Sequence, residues 1–275
     1  TNSGNATTLG RDLSGAIIIP SRVSDQNGNY TVIGIEQYAF SFCNQLTIIN
    51  IPDSVKDIGR YAFNFSAKLT SITVDTSNNS FSDINGVLFN KEQSIVINYP
   101  QGKIDTTYTI PNSVTTIGAS AFNSCSNLTS ITIPDSVTII SLNAFASCSN
   151  LTSIDLGNSL TDISTNAFNS CIKLTSITIP DSVTPIGQSA FNGCSSLTSI
   201  IILNSDISTI GDYAFSHIDS NAVIHLYESV YNDFSANSFG SNSDITFEFE
   251  PINITLNTSS SDIDISNISS SLHID

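Results

Sequence analysis

The feature that most constrains this chain is a repeated phrase. Residues 121–137 read AFNSCSNLTSITIPDSV and residues 167–183 read AFNSCIKLTSITIPDSV, which agree at fifteen of seventeen positions. Each copy begins with an Ala-Phe pair, and the Phe recurs at spacings of 23, 59, 23, 23, 23 and 24 residues. These residues are Phe40, Phe63, Phe122, Phe145, Phe168, Phe191 and Phe215. The spacing of 59 is one repeat plus 36 additional residues, so a fixed period predicts an array of stacked units.

Three columns of apolar side chains accompany the Phe column. A Leu falls six residues after the Phe: Leu46, Leu69, Leu128, Leu151, Leu174 and Leu197. An Ile falls nine residues after it: Ile49, Ile72, Ile131, Ile154, Ile177 and Ile200. A third column falls eleven residues after it: Ile51, Val74, Ile133, Leu156, Ile179 and Ile202. One unit cannot bury such a face by itself, whereas stacked copies bury it in a continuous core.

Local patterns within the repeat indicate how each unit folds. The segment SITI alternates like a short strand, and the Pro-Asp-Ser that follows it is typical of a turn. The segment IGASAFNSC then suits a single tight helical turn before the next strand. Because neighbouring strands lie about 4.8 Å apart, the stacked units predict a solenoid with a parallel sheet along one side.

The repeat resembles a known family. Residues 128–151 carry the motif L-x-x-I-x-I-P-x-x-V-x-x-I-G-x-x-A-F-x-x-C-x-x-L, with Ser141 in place of Gly. This motif is similar to the BspA-like, or Treponema pallidum-type, leucine-rich repeat, and the resemblance covers about residues 17–240. It implies an α/β repeat solenoid, a right-handed superhelix of about 23 residues per repeat with a parallel sheet on its concave side. It also implies a cell-surface or secreted protein used for adhesion or partner binding, with no reaction and no cofactor.

The resemblance, together with the pattern of the C-terminal residues, divides the chain into two parts. Residues 1–240 are predicted to form the solenoid, with 1–32 as an N-terminal capping repeat, 75–109 as an inserted β-hairpin and 216–240 as a degenerate last repeat. Residues 241–275 are predicted to form a C-terminal β-type cap or accessory tail, since DITFEFEPINITL alternates as strands do.

Charge and composition exclude several classes of partner. The chain has 24 acidic and 8 basic residues among its 275, a formal net charge of −16, which repels nucleic acid and anionic lipid. No apolar run approaches the roughly 20 residues that cross a bilayer. We therefore expect no nucleic-acid partner and no membrane insertion in this segment, and the family resemblance implies an extracellular or cell-surface location. The chain begins without Met or an apolar signal segment, which suggests a piece of a longer product.

The cysteines form one column, three residues after the repeat Phe. They are Cys43, Cys125, Cys148, Cys171 and Cys194. Ser66 and Ile218 occupy the same position in other repeats, which favours buried, reduced thiols that fill space. Neighbouring units would bring the cysteines within disulfide range, although parallel side chains do not converge as a bridge requires. A metal site is not indicated, because the sequence lacks a close pair such as C-x-x-C.

The sequence contains no pattern that predicts catalysis. Its histidines are His217, His225 and His273, and no G-x-S-x-G, H-E-x-x-H or phosphate-binding loop is present. An acidic column follows the proline and could bind calcium, but the same residues are typical caps of a turn. This column comprises Asp53, Asn112, Asp135, Asn158 and Asp181.

Two sets of residues are candidates for a partner contact. The inserted segment is rich in aromatic side chains and in this chain's scarce positive charge: Phe81, Phe89, Lys91, Tyr99, Lys103 and Tyr108. The alternative is that this hairpin covers the rod's own side. The second set points away from the core on the strand face, where solenoids usually bind: Ser130, Thr132, Ser153, Asp155, Ser176 and Thr178.

Three function hypotheses follow from these patterns. The leading one is a non-catalytic adhesion or interaction module that binds a protein or glycan partner through an extended surface. The second is a structural subunit of a filament or surface layer, self-associating through the rod ends and the acidic tail. An enzyme is the third, and it requires titratable groups that converge in a pocket.

Overall fold

The fold is described from a computed structural model, which covers residues 13–231, 233–234, 237–240 and 245–249. In chain order the elements are β1 (Ser14–Ile18), β2 (Arg22–Asp25), β3 (Gly28–Thr31), β4 (Gly34–Ile35), β5 (Gln45–Ile51), β6 (Asp57–Ile58), β7 (Ser71–Val74), β8 (Phe81–Ile84), β9 (Val87–Asn90), β10 (Ile95–Asn98), β11 (Thr107–Thr109), β12 (Thr116–Ile117), β13 (Ser130–Thr132), β14 (Ile139–Ile140), β15 (Ser153–Asp155), β16 (Asp162–Ile163), β17 (Ser176–Ile179), β18 (Pro185–Ile186), β19 (Ser199–Ile202), β20 (Thr209–Ile210), β21 (Val223–Leu226), α1 (Glu228–Tyr231) and β22 (Thr246–Phe249).

The longer strands stack in parallel along one side of the solenoid. Their ladder has three blocks, β1-β5-β7, β11-β13-β15 and β17-β19-β21-β22. In the regular rungs each residue pairs with its counterpart 23 residues later, as Ile131 does with Ile154 and Ser176 with Ser199. The predicted 23-residue period is therefore the register of the sheet, and the parallel-sheet solenoid is confirmed.

The two-residue strands stack along a second side. They form the order β20-β18-β16-β14-β12-β10, which the insertion extends through β9 and β8, while β4 and β6 pair separately. One circuit through a long strand, a short strand and the turns between them is called a rung below. Each rung closes around side chains that point inward from both sides.

The core is a set of columns in which each residue packs on its own counterpart. Phe122, Phe145, Phe168, Phe191 and Phe215 are fully buried. Their rings stack at centroid distances of 5.0–5.3 Å, almost parallel. The core is divided in two by the insertion, with one cluster from Ile19 to Leu88 and a larger one that begins at Val87.

The segment around the Phe is a run of tight turns. The predicted helical turn is wrong in this detail: the only α-helix in the described residues is the single turn α1. Ser120 and Ser124, which flank Phe122, have φ angles of 58° and 60°. Left-handed residues interrupt an α-helix, and here the N–H of Phe122 donates to Ala144 of the next rung at 2.8 Å.

The irregular parts build onto the same frame. In the insertion, β8 and β9 form an antiparallel hairpin, β10 pairs antiparallel with β9, and β10 continues in parallel to β12. At the N-terminal end β1 pairs with β5, and β2 with β3 form a second hairpin. At the other end β22 pairs in parallel with β21 as one more long strand. Of the predicted tail 241–275, only residues 245–249 lie inside the described ranges, and residues 1–12 of the predicted cap lie outside them.

We predict that Phe145→Ala lowers the free energy of unfolding by about 3–5 kcal/mol, because it removes a fully buried ring from the middle of the stack. Chemical denaturation followed by circular dichroism measures the change. Ile104→Ala is the control, since Ile104 is 85% exposed, and it should change stability by less than about 0.5 kcal/mol. Equal effects of the two substitutions would contradict the assigned core.

Candidate functional site

The six strand-face residues named from the sequence line one shallow depression of about 300 Å³. They project from three successive strands, β13, β15 and β17, two from each. The ladder brings Ser130 beside Ser153 and Thr132 beside Asp155. The alternation of a strand puts the intervening Ile131 in the core while its neighbours face outward. We refer to this depression, lined by Ser130, Thr132, Ser153, Asp155, Ser176 and Thr178, as the strand-face depression.

The depression lies at a break in the ladder of long strands. β15 pairs with β13 but has no ladder pairing with β17. Next to the break, Gly157 packs against the preceding rung so closely that a Cβ would lie 2.5 Å from the carbonyl oxygen of Pro134. Other repeats have Pro where Gly157 stands, and only glycine permits this approach. The missing pairing between β15 and β17 thus falls within the strand-face depression.

The lining of the strand-face depression is polar and lightly charged. Hydroxyl groups dominate it, and Asp155 is its one charged residue. Sequence reasoning missed Leu203, which also lines the depression and is 45% exposed. Leu203 stands in the column that holds Pro134 and Pro180. An apolar residue in place of a turn-forming proline was the sequence signal that could have identified it. Hydroxyls with one carboxylate and an apolar rim suit hydrogen bonding to a polar ligand.

The aromatic side chains of the insertion lie mainly in the core. Phe81, Phe89 and Tyr99 are 8%, 0% and 2% exposed, which leaves them unavailable for direct contact with a partner. Tyr108 is half-buried and packs edge-on against Tyr99 with ring centroids 5.0 Å apart. Tyr99 in turn stacks on Phe122 at 5.2 Å and so extends the Phe column by one position. The structure thus favours the alternative that the insertion covers the rod's own side.

The two lysines of the insertion hold it in place. Lys91 donates from Nζ to the carbonyl of Asn78. Lys103 donates from Nζ to the carbonyl of Asn85 at 3.0 Å, and its Nζ lies 3.5 Å from a carboxylate oxygen of Asp105. Both cations are therefore engaged within the insertion.

The tyrosines of the insertion are held in the neutral form. Burial raises the pKa of Tyr108 to about 12. Burial, together with the negative charge of Asp105, raises the pKa of Tyr99 well above its usual value. A neutral Tyr99 is consistent with its place in the core.

The cysteine column is buried, as the sequence predicts, and none of the five residues forms a disulfide. The structure adds a function for the sulfur that the sequence did not show. Sγ of Cys148 lies 3.1 Å from the carbonyl oxygen of Phe122, which precedes it by 26 residues. Cys171 and Cys194 make the same contact at 3.2 Å. Ser66 reproduces it from its hydroxyl to Phe40 at 2.6 Å, which explains why Ser replaces Cys in this column.

Two of the three histidines, His217 and His225, lie in the described ranges, and each makes polar contacts of a different kind. Ser216 and Asn192 both contact Nδ1 of His217, at 2.9 and 3.1 Å, so a single ring nitrogen faces both partners. In a catalytic triad one ring nitrogen of the histidine contacts the nucleophile and the other contacts the orienting residue. His225 pairs instead with Glu248 of β22 at 3.2 Å. In the ranges that the structure covers, no three His, Cys, Asp or Glu residues are grouped to hold a metal.

The acidic column contributes hydrogen bonds between rungs. Asp135 accepts the backbone N–H of Asn158 through Oδ1 at 2.8 Å. This bond reaches the next rung, whereas the sequence predicted a cap within the residue's own turn.

Within the described ranges, no helix has the length and apolar composition that a membrane crossing requires.

The sequence of the repeats matches a family model for the BspA type leucine rich repeat region. Six copies match, over residues 22–106, 101–221 and 161–270. The chain belongs to the BspA-type leucine-rich repeat family. The resemblance read from residues 128–151 is thereby confirmed. No curated protein is similar enough to the chain to count as a match.

Several solved structures share the fold. A leucine rich cell surface protein from Faecalibacterium prausnitzii is 27% identical, with a TM-score of 0.60, over 87% of this chain and 61% of that one. The pneumococcal vaccine antigen PcpA is 19% identical, with a TM-score of 0.64, over 87% of this chain and 90% of that one. A leucine-rich repeat protein from Eubacterium ventriosum is 21% identical, with a TM-score of 0.60, over 88% and 67%. At such identities the latter two show the fold alone.

We predict that alkaline pH destabilises the BspA-type rod through its thiols. Burial raises the pKa of Cys148 to about 12 and also raises the pKa of Cys125 and Cys171. An unfolded thiol ionises near pH 8.5, so stability should be full below that pH and should decline as pH rises towards 12. Urea unfolding under reducing conditions from pH 7 to 11 measures the decline.

The matched variant is Cys148→Ser, because Ser66 already occupies this column. It should fold and should show a shallower decline, since a serine hydroxyl does not ionise in this range. A thiol reagent should also label the native chain slowly. Fast labelling of all five cysteines, or the same pH slope in the variant, would count against the buried column.

Proposed function

We propose that this chain is the non-catalytic interaction module of a cell-surface or secreted protein, and that it binds protein or glycan partners through the strand-face depression. The observation that carries the proposal is the convergence of six outward-facing hydroxyl and carboxylate side chains on one concavity. The Faecalibacterium relative described as a cell surface protein supports the location. The family supports a role in interaction rather than catalysis.

The chemistry of the depression favours a ligand rich in hydroxyl or amide groups. Ser153 and Asp155 are exposed, and Ser130 is half-buried, so their oxygens can exchange water for ligand groups without a rearrangement. The depression has no aromatic or Arg anchor among its lining residues. Because such anchors supply most of the binding energy at tight interfaces, we expect weak single contacts that gain strength from multivalency.

We predict that Ser153→Trp weakens binding at least tenfold by filling the depression. The purified chain is tested on an array of immobilised glycans and a panel of purified extracellular-matrix proteins, with dissociation constants measured for each binder. Ser199→Trp is the matched control, because Ser199 occupies the same column on β19 but does not line the depression. The control should change affinity less than twofold. Undiminished binding by Ser153→Trp, or no binder at all, would contradict the proposal.

A second candidate function is supported by the distribution of charge. Residues 1–110 contain seven basic and nine acidic residues, whereas residues 111–275 contain one basic and fifteen acidic residues. Such polarity favours head-to-tail contact between copies, as a filament or surface-layer subunit requires. Light scattering at increasing concentration and at low and high salt separates the two functions. Monomers throughout support the interaction module, and salt-sensitive polymers support the structural subunit.

A further inference from the structure

A cleft of about 420 Å³ separates the second rung from the insertion. One wall is the turn segment 58–64 of the second rung. The opposite wall is formed mainly by apolar and small polar side chains: Ile95, Ile97, Asn98, Thr116, Ser141 and Leu142. A contact of 3.2 Å between Nδ2 of Asn143 and the hydroxyl of Tyr61 joins the two sides. This cleft coincides with the division of the core into two clusters.

In regular rungs the turn side donates three backbone hydrogen bonds to the next rung. The N–H groups of Ser120, Phe122 and Ser124 donate at 2.8–3.0 Å to the rung that follows. The first rung does the same towards the second through the N–H groups of Tyr38, Phe40 and Phe42. The three donors are spaced two residues apart and face one direction. They act like the edge of a β-strand, although the residues lie in turns.

The second rung has the same three donors and no rung beside them. The N–H groups of Tyr61, Phe63 and Phe65 have no hydrogen-bond partner in the part of the chain that the structure covers. The side chain of Asn64 is only 5% exposed, and its Nδ2 also has no partner among the described residues. Backbone donors at a protein edge are a template for pairing with another chain.

The character of this edge differs from that of the later rungs. Tyr61 and Phe65 both have φ angles of 60°, a left-handed conformation that bulky residues rarely adopt. Ser120 and Ser124 hold the same two columns in a later rung, where small side chains take up this conformation and the N–H groups are paired. Arg60 is the one charged residue among those that line the cleft, and its side chain makes no ion pair with any described carboxylate.

We propose that this cleft binds an extended peptide segment of a protein partner. Carbonyl groups at alternate residues of the peptide accept from the N–H groups of Tyr61 and Phe63, which line the cleft, and of Phe65, which follows them along the same edge, in the manner of strand addition to a sheet edge. An acidic side chain of the peptide pairs with the Arg60 guanidinium. Ile95 and Ile97 provide apolar contact on the far wall. The site is separate from the strand-face depression and does not depend on it.

The premise is tested by amide hydrogen exchange of the free chain. The N–H groups of Tyr61, Phe63 and Phe65 should exchange at least a hundredfold faster than those of Phe122, Phe145 and Phe168, which donate to a neighbouring rung. Slow exchange at Tyr61, Phe63 and Phe65 in the free chain would mean that the edge is already paired. That result would overturn the proposal.

Binding is tested with a phage-displayed library of random dodecapeptides selected on the full chain. The selected sequences should be enriched in Asp and Glu, and a synthetic selected peptide should slow exchange at the three edge amides. Arg60→Glu should weaken binding of this peptide about tenfold or more. A tenfold loss corresponds to about 1.4 kcal/mol of binding free energy. Arg22→Glu is the matched control, because it makes the same charge change on the exposed strand β2. Its affinity should stay within twofold of the parent.

A second variant tests the shape of the site. Ala119→Trp places an indole among the lining residues and should abolish peptide binding, with the folded state confirmed by circular dichroism. Ser153→Trp should leave peptide affinity unchanged, because it alters the other surface. No enriched peptide, protection centred on residues 130–178, or equal effects of Arg60→Glu and Arg22→Glu would each overturn the proposal. A loss of glycan or matrix binding in Ser153→Trp bears only on the proposed function above.

Discussion

The structure depends on one constraint: each residue must pack and pair with its own counterpart one period along the chain. The backbone ladder joins Ile131 to Ile154, and the same register stacks Phe122 on Phe145 at 5.0 Å. Cys148 then lies within hydrogen-bond distance of the Phe122 carbonyl of the preceding rung. Because one register serves all three interactions, a side chain that fits in one rung fits in the next. The apolar columns are thus the consequence of the ladder as well as its support.

Much of the fold could be predicted from the period alone. Columns of Leu, Ile and Phe at constant offsets identify the buried face without any knowledge of the backbone. The burial of the cysteines was predictable for the same reason, since Ile218 shows that the position accepts a hydrocarbon. The predicted helical turn failed because propensity does not report the left-handed φ of Ser120 and Ser124. That conformation is imposed by hydrogen bonds between rungs, which are contacts distant in sequence.

The candidate surfaces were harder to predict, because each arises where the period lapses. The polar columns were visible in the sequence, but the missing pairing between β15 and β17 beside Asp155 was not. The aromatic residues of the insertion suggested an exposed contact, yet Tyr99 continues the Phe stack and is buried. Without a period, neighbouring sequence does not say which face is inward. The unpaired edge of the second rung was invisible for the same reason, since it results from where the insertion leaves the ladder.

The uniform rungs also bear on how the length of this rod can change. Between residues 111 and 215 each rung presents the same columns to the neighbour before it and the neighbour after it. Removal or duplication of 23 residues would therefore join surfaces that already fit, and the chain could shorten or lengthen in whole units. An odd residue must be absorbed in a loop: Ser176 pairs with Ser199, whereas Pro185 pairs with Thr209, which places the one extra residue between β19 and β20. Rod length can thus vary in steps that keep the buried columns in register.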